Sequence, residues 1–402
     1  MTTTDTAAGA VPGVVKPTSA EVMEDTGTGL DFGTRADRMP GHLTPNDRFF
    51  VRSHSPTPRI DADQWSLRIG GDAVRSPVTF GYDDLWRAFP LVSVTRTIEC
   101  AGNRRVLFGK QHGQHIAGTP WGRGAVSTAE WTGVRLRDLL EAAGVTADAH
   151  DVMPVALDEC GARRPMPLAK AMADDTLLAL AMNGEPLPPD HGFPARVVVS
   201  GWLGAASIKW VGRIEVSRRP IHVPWNTEDY VLIGPEHPAH GPVLGTPINE
   251  LPVTSLVELD WPAHLKPVPQ LVRGRSFAGE QRIASVAYSI DRGPWYEARL
   301  TGSREAGAWT RWHFTWTPAP GDHTISVRAT DDTGRTQPTH VPWNRLGYLN
   351  NQIAGRCDGH QLNGLPRPQF PLRGRVVPSL RVSVPVSRSW ESLSGHQAVH
   401  LP

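Results

Sequence analysis

The sequence predicts an α+β chain, with a β-rich mixed domain over residues 41–250 followed by a β-sandwich over residues 255–350. Three observations carry this reading. The 402 residues include 39 Gly and 37 Pro, a density that favours turns and short strands over long helices. Only one segment, GVRLRDLLEAAGV, has a clear helical period. Beyond about residue 250, short alternating apolar segments recur between turn signals, as in a sandwich. The chain is also too long for one ordinary core.

Residues 1–40 are rich in Thr, Gly, Ala and Asp and have little periodicity, so a flexible arm is expected. RFFVRSH (48–54) reads as an extended strand, and SLRIGG (66–71) as a second one, with Leu67 and Ile69 on one face. In the helical segment, Leu136, Leu139, Leu140 and Ala143 share a face and Gly144 supplies the stop. PLAKAMADD (167–175) reads as a short helix, and TLLALAMNGEPL as a strand turning at Asn183-Gly184. Strands at 197–199 and 208–216 flank a glycine elbow, Gly201 to Gly204. Such an elbow marks either backbone approaching a ligand or a tight turn between buried strands. In the sandwich region Val286, Tyr288 and Ile290 alternate, as do Trp312, Phe314 and Trp316, and Ile325, Val327 and Ala329. The tail, 355–402, is rich in Pro, Arg and Ser. Its one apolar stretch, SLRVSVPV, is either disordered or an edge strand.

Composition narrows the function classes. A net charge of +1 gives no whole-molecule attraction to nucleic acid or to a membrane, so any anion site must be a local basic cluster. Cys100, Cys160 and Cys357 are scattered and form no CxxC pair, which fits a reducing compartment. The N-terminus has no basic n-region or apolar core of a secretion signal, and no apolar run reaches a membrane span. A cytoplasmic location is the expectation. Fourteen Trp against five Tyr suggest large apolar anchors, some of them pocket walls.

The chemistry concentrates in TRTIECAGNRR (95–105). Cys100 follows an apolar strand, precedes Gly102 and is followed by Arg104 and Arg105. Guanidinium charge and close backbone N–H groups favour a thiolate, which is a nucleophile or a metal ligand. Arginines beside it can hold an anion. The alternative is a buried structural cysteine before a solvated basic turn.

Five segments occur together in order: FFVRSH (49–54), TIECAGNRR (97–105), NGEPLPPDHGFPAR (183–196), GWLGAASIKWVGRIEVS (201–217) and NTEDY (226–230). On these, residues 42–350 resemble the sulfite oxidase family of molybdenum enzymes, a molybdopterin domain followed by an immunoglobulin-like dimerisation domain. The resemblance implies that the thiolate of Cys100 binds molybdenum beside one pyranopterin dithiolene. The chain has no HExxH or Cys/His cluster, which agrees with a single protein ligand. It also implies that Phe50, Arg52, His54, His191, Arg196, Ser207 and Lys209 hold the pterin and its phosphate, with Asp158, or its neighbour Glu159, as a further contact. Arg52, Arg105, Tyr230 and Trp121 match the substrate pocket. Each has an ordinary reading too: loop histidines, surface arginines, a snorkelling lysine, a turn tryptophan, a surface tyrosine. The implied activity is oxidation of sulfite to sulfate. Nitrate or sulfoxide reduction on the same fold, and a non-catalytic pterin carrier, are the alternatives. A homodimer is implied through the sandwich. Ser53 stands where the family commonly has asparagine, and VLFGKQHGQHIAG after Arg105 is peculiar to this chain. The short N-terminal arm lacks the histidines of a cytochrome b5-like haem domain. The expectation is therefore no haem, with electrons leaving to an external acceptor, a cytochrome or oxygen.

Overall fold

Alternating and fully apolar segments place two five-stranded sheets in the first domain. The computed structural model describes residues 13–260, 262–353 and 381–384. In the first sheet the central strand Thr176–Met182 is apolar from Leu177 onward and buried at every residue. It pairs antiparallel with Val126–Arg135 on one side, and with Glu185–Pro186 and Arg196–Val199 on the other. Leu91–Glu99 completes the sheet beyond Val126–Arg135. The second sheet has the order Val78–Gly81, Ser66–Gly70, Val211–Ser217, Asp151–Ala156, Met166–Pro167. Only the Ser66–Gly70 and Val211–Ser217 pair in it is parallel. One continuous core lies between these layers. It takes Leu67 and Ile69 from one sheet, Leu178 and Leu180 from the other, and Leu136, Leu139 and Leu140 from the helix Leu136–Ala142. The helical period therefore reported a real buried face.

Several expectations need correction. The described part of the N-terminal segment is not a free arm: Met23–Asp25 pairs with Phe32–Thr34, and Gly33 packs against Gly124. Residues 1–12 lie outside the described residues. RFFVRSH is not a strand either, since its one ladder contact is the Val51 bridge to Phe32. Its first residues turn on the Pro45 carbonyl, and the rest runs extended into a pocket. The strand expected at 208–216 begins only at Val211, because Trp210 has φ 53° and leaves 207–210 as a loop. Gly201 has φ 72°, and a Cβ there would meet Gly279 and Glu280 of the second domain, so its close approach is to protein backbone. The Asn183-Gly184 turn forms as expected, with both residues in the left-handed region.

The second domain is a sandwich. One sheet has the order Thr254–Val257, Gln270–Phe277, Thr310–Trp316, Arg299–Thr301. The other runs Ala263–His264, Arg381–Val384, Gly321–Asp331, Ile283–Ile290, Tyr296–Glu297. Val286, Ile325, Val327, Trp312 and Phe314 fill the space between them. The apolar stretch of the tail thus adds an interior strand rather than an edge, and carries the sandwich beyond 350. The rest of the tail, with Cys357, lies outside the described residues. Buried cations fasten the domains together. Arg275 donates to the carbonyls of Met39 (2.9 Å) and Gly41 (3.0 Å), and Arg104 to those of Asn350 (3.0 Å) and Ser255 (3.3 Å). No helix among the described residues is long and apolar enough to cross a membrane.

Candidate active site

The segments around Phe50, Cys100, His191, Lys209 and Tyr230 converge on one pocket of about 730 Å³. Phe50, Arg52, His54, Cys100, Asp158, His191, Arg196, Ser207, Lys209 and Tyr230 all line it. Extended backbone places the alternate side chains of Phe50, Arg52 and His54 on one face, which is why this stretch contributes all three. The strand Leu91–Glu99 ends at the pocket and delivers Cys100, whose N–H donates to the Ala125 carbonyl at 2.9 Å.

At one end a thiol, a guanidinium and a phenol gather. Burial pushes the Cys100 thiol above its usual value, and Arg52, Arg105 and the Gly102 N–H pull against that without winning. The expected thiolate is therefore not intrinsic to the protein: it needs a bound positive charge. Arg52 donates to Asp31 at 3.2 Å and, through its other terminal nitrogen, to Nε2 of His54 at 2.9 Å. A guanidinium has no lone pair to offer, so His54 accepts on Nε2 and carries its proton on Nδ1. Burial and the Arg52 charge lower His54 to about 3, so the ring is neutral. It lies 4.6 Å from Trp225, and the Tyr230 hydroxyl reaches its Nε2 at 3.3 Å. Burial holds Tyr230 protonated well above the usual phenol range.

At the other end buried cations gather, and among the described residues none is in an ion pair, with Asp190 and Asp158 acting on Lys209 only through their charge. Arg196 spends its terminal nitrogens on the carbonyls of His191 (3.1 Å) and Ser207 (3.0 Å), lies 4.8 Å over the Trp131 ring and leaves Nε with no partner. Burial lowers Arg196 to about 9. Lys209 donates to Ser53 Oγ (2.8 Å) and the Asp190 carbonyl (2.9 Å) and lies 4.0 Å over the Trp210 ring. Ser207 Oγ accepts from the Val199 N–H at 3.2 Å. Buried cations facing an open cavity with an unused N–H are a receptor for an anion.

Two predicted residues are placed elsewhere. Arg105 does not line the pocket. It donates to the carbonyls of Leu346 (2.9 Å) and Thr119 (2.6 Å), lies 5.3 Å over Tyr348, and reaches Cys100 only through its charge. Trp121 is core, 1% exposed, edge-on behind Phe50 with ring centroids 6.4 Å apart. Arg104 faces the second domain rather than an anion. Of the two candidate acids, Asp158 is buried in the pocket wall and accepts from Ser55 Oγ at 3.3 Å, whereas Glu159 is exposed. Sequence reasoning missed Lys16, Asp31, Asp190 and Trp225. Asp190 lies inside one matched segment and Trp225 directly before another, so both could have been found from them. Lys16 and Asp31 sit in the supposed arm and carried no signal.

Burial pulls Lys16 and Lys209 from the ordinary lysine value to about 7. Below pH 7 both carry charge, and above it they lose their protons, so anion binding must weaken as pH rises. Sulfate stays a dianion throughout, and its affinity for the cofactor-free protein should be highest below pH 7. Above pH 7 it should fall by up to about tenfold per pH unit for each lysine that binding reprotonates. Calorimetric titration between pH 6 and 9 measures this, and a flat profile would count against the charge assignment.

Comparison with known proteins places these residues in context. The family "Oxidoreductase molybdopterin binding domain" matches residues 54–225, and "Mo-co oxidoreductase dimerisation domain" matches 246–353. The mitochondrial sulfite oxidase of Mus musculus is 36% identical over 332 residues, 77% of this chain and 60% of that protein. The sulfite oxidase of Gallus gallus is 36% identical over 329 residues, 77% of this chain and 71% of that protein. Nitrate reductase [NADH] 2 of Phaseolus vulgaris is 30% identical over 353 residues, 77% of this chain and 38% of that protein. The solved structure of the sulfane dehydrogenase SoxCD from Paracoccus pantotrophus superposes with a TM-score of 0.72 at 29% identity, covering 80% of this chain and 82% of that one. The chain therefore spans about 60% of the length of its mitochondrial relatives.

Proposed function

Because this chain belongs to the sulfite oxidase family of molybdopterin-dependent oxidoreductases, we propose that it oxidises sulfite to sulfate by oxygen-atom transfer. One observation carries the reading: a single pocket joins the Cys100 thiol to Arg52, His54 and Tyr230 at one end and to an anion receptor, Arg196 with Lys209, at the other. The residues fit the molybdenum cofactor. The unpartnered Arg196 Nε and the buried Lys209 suit a terminal phosphate, Asp158 suits the N–H groups of a pterin, and Cys100 is a soft sulfur donor for the metal. When bound, the cofactor supplies the oxygen-atom transfer and the redox equivalents.

The chain's own residues do the rest. Arg52, held by Asp31 and His54, offers fixed positive charge to an incoming oxyanion. Tyr230, kept protonated by burial, has a single O–H: in the empty site it faces His54 Nε2 at 3.3 Å, and with substrate bound it turns to donate to the substrate oxygen. Trp225 walls the site beside His54 and limits water. Tyr230→Phe removes one charge-assisted hydrogen bond, so kcat/KM for sulfite should drop about 10- to 100-fold while molybdenum content stays unchanged.

Steady-state rates with sulfite, nitrate and methionine sulfoxide, using ferricyanide as oxidant or reduced viologen as donor, test the direction of the reaction. Dominant nitrate or sulfoxide reduction would replace the sulfite reading, and molybdenum-free protein from a cofactor-making host would replace it with a carrier. The sandwich supplies the surface for a homodimer, and electrons pass to an external acceptor, a cytochrome or oxygen.

A further inference from the structure

The segment just before the first strand is tied to the cationic end of the pocket. The N–H groups of Val15 (2.9 Å) and Lys16 (2.7 Å) donate to the Asp190 carboxylate, as does the Thr57 hydroxyl at 2.6 Å. The Thr57 N–H in turn donates to the Gly13 carbonyl at 3.0 Å. The backbone of residues 13–16 thus grips the short turn Pro189–His191 from outside, while Lys209 holds the Asp190 carbonyl of the same turn from within.

The Lys16 side chain continues past that grip. Its Nζ meets three acceptors, the Asn46 carbonyl at 3.2 Å, the Phe49 carbonyl and His191 Nε2 at 3.1 Å. Three acceptors match the three N–H donors of one ammonium group. An ammonium donating to Nε2 requires a lone pair there, so the neutral His191 ring must carry its proton on Nδ1. Burial and the neighbouring Lys16, Lys209 and Arg196 charges keep that ring neutral, against the opposing pull of the Asn46 carbonyl on a ring N–H.

We propose that Lys16 is a positioning residue for the phosphate of the pterin cofactor: it locks His191 as an Nδ1–H donor and adds a further buried cation to Arg196 and Lys209. The inference rests on the reading that this pocket takes the molybdenum cofactor. Packing alone gives no reason to bury a lysine here. A methionine would fill similar volume without desolvating a charge, and around this turn Lys16 and Lys209 share the Asp190 carboxylate as their main counter-charge while Arg196 has none among the described residues, which leaves charge for a further anion. Lys16 itself lies outside both matched family regions, since it precedes residue 54, whereas His191 lies within the first.

The test uses the full chain with Lys16→Met, Lys16→Arg and, as a control, His191→Gln, expressed in a host that makes the cofactor. Pterin per chain is read as the fluorescent oxidised derivative after gel filtration, the melting temperature is taken on cofactor-free protein, and ¹⁵N-histidine spectra report the ring tautomers. Lys16→Met should retain about 10- to 100-fold less pterin, as when a partner of a ligand-orienting residue is lost. Lys16→Arg should recover part of it. The cofactor-free melting temperature should stay near wild type, and the resonance that disappears in His191→Gln should shift from a pure Nδ1–H form to a tautomer mixture. Wild-type pterin content in Lys16→Met, with loss in His191→Gln, would overturn the role of Lys16 and leave the cofactor reading intact. Pterin loss matched by a large fall in melting temperature with an unchanged tautomer would overturn it as merely structural. Wild-type protein without any pterin would remove the cofactor reading itself.

Discussion

Cys100→Ser should lose its molybdenum and about 10³-fold or more of its sulfite-dependent ferricyanide reduction, while keeping its fold and most of its pterin. The loss is set at the scale seen when a principal catalytic group is deleted. The fold survives because nothing structural depends on the sulfur. The Cys100 N–H bonds to Ala125 and its carbonyl accepts the Asn103 N–H at 2.9 Å, and serine keeps both. The pterin should survive because the proposed phosphate receptor is built from Arg196, Lys209 and His191, none of which bonds to Cys100. The metal does not survive, because a hydroxyl is a harder and much weaker acid than a thiol. Burial keeps Cys100 a thiol in the cofactor-free protein, so metal binding must release its proton. Loading should therefore weaken at low pH in the wild type. Equal activity in wild type and Cys100→Ser would remove the proposed metal ligand.

The candidate site was legible where chemistry is carried by local residue type and spacing. Phe50, Arg52 and His54 alternate within one extended stretch, and Cys100 follows directly from the apolar strand Leu91–Glu99. The helix Leu136–Ala142 was legible because its period matches a face buried to zero exposure. Illegible parts depend on contacts between distant residues. Lys16 and His191 are 175 positions apart, and no property of MTTTDTAAGAVPGVVK indicates that its last residue will meet a histidine. The division of labour between Arg104 and Arg105 was hidden for the same reason. The left-handed φ of 66° at Arg104 sends the two adjacent side chains apart, one to Asn350 and one to Leu346 and Thr119. Trp121 looked like a pocket wall because tryptophan suits both a wall and a core, and only packing against Phe50 decides between them. The strand at Arg381–Val384 pairs with Gly321–Asp331 across some sixty residues of chain, so local pattern could offer only an edge.

Arg52→Met should reduce kcat/KM for sulfite by about 10²–10³-fold, chiefly through KM, the scale of losing one fixed donor to a developing or bound oxyanion. Methionine fills similar space, so the loss reports charge and hydrogen bonding rather than a cavity. Arg52→Lys should recover little. The native fork serves Asp31 with one nitrogen and His54 with the other, and a single ammonium cannot reproduce that geometry. The Asp31 carboxylate keeps the Ser53 N–H (3.2 Å) and the Thr119 hydroxyl (2.9 Å) in either variant, which limits the stability lost when its Arg52 counter-charge is removed in Arg52→Met. A second readout separates this role from general damage. Burial is the larger cause of the low His54 value and the Arg52 charge the next, so removing Arg52 must raise His54 from about 3 toward its ordinary range. Protonated His54 carries an N–H on Nε2 and can no longer accept the Tyr230 O–H between turnovers, so the resting position of that hydroxyl is lost. The acid limb of the sulfite profile should therefore move to higher pH in Arg52→Met, with activity falling as pH drops through the new value. Wild-type kcat/KM together with an unmoved acid limb would show that Arg52 faces neither the substrate nor the Tyr230–His54 pair in the working enzyme.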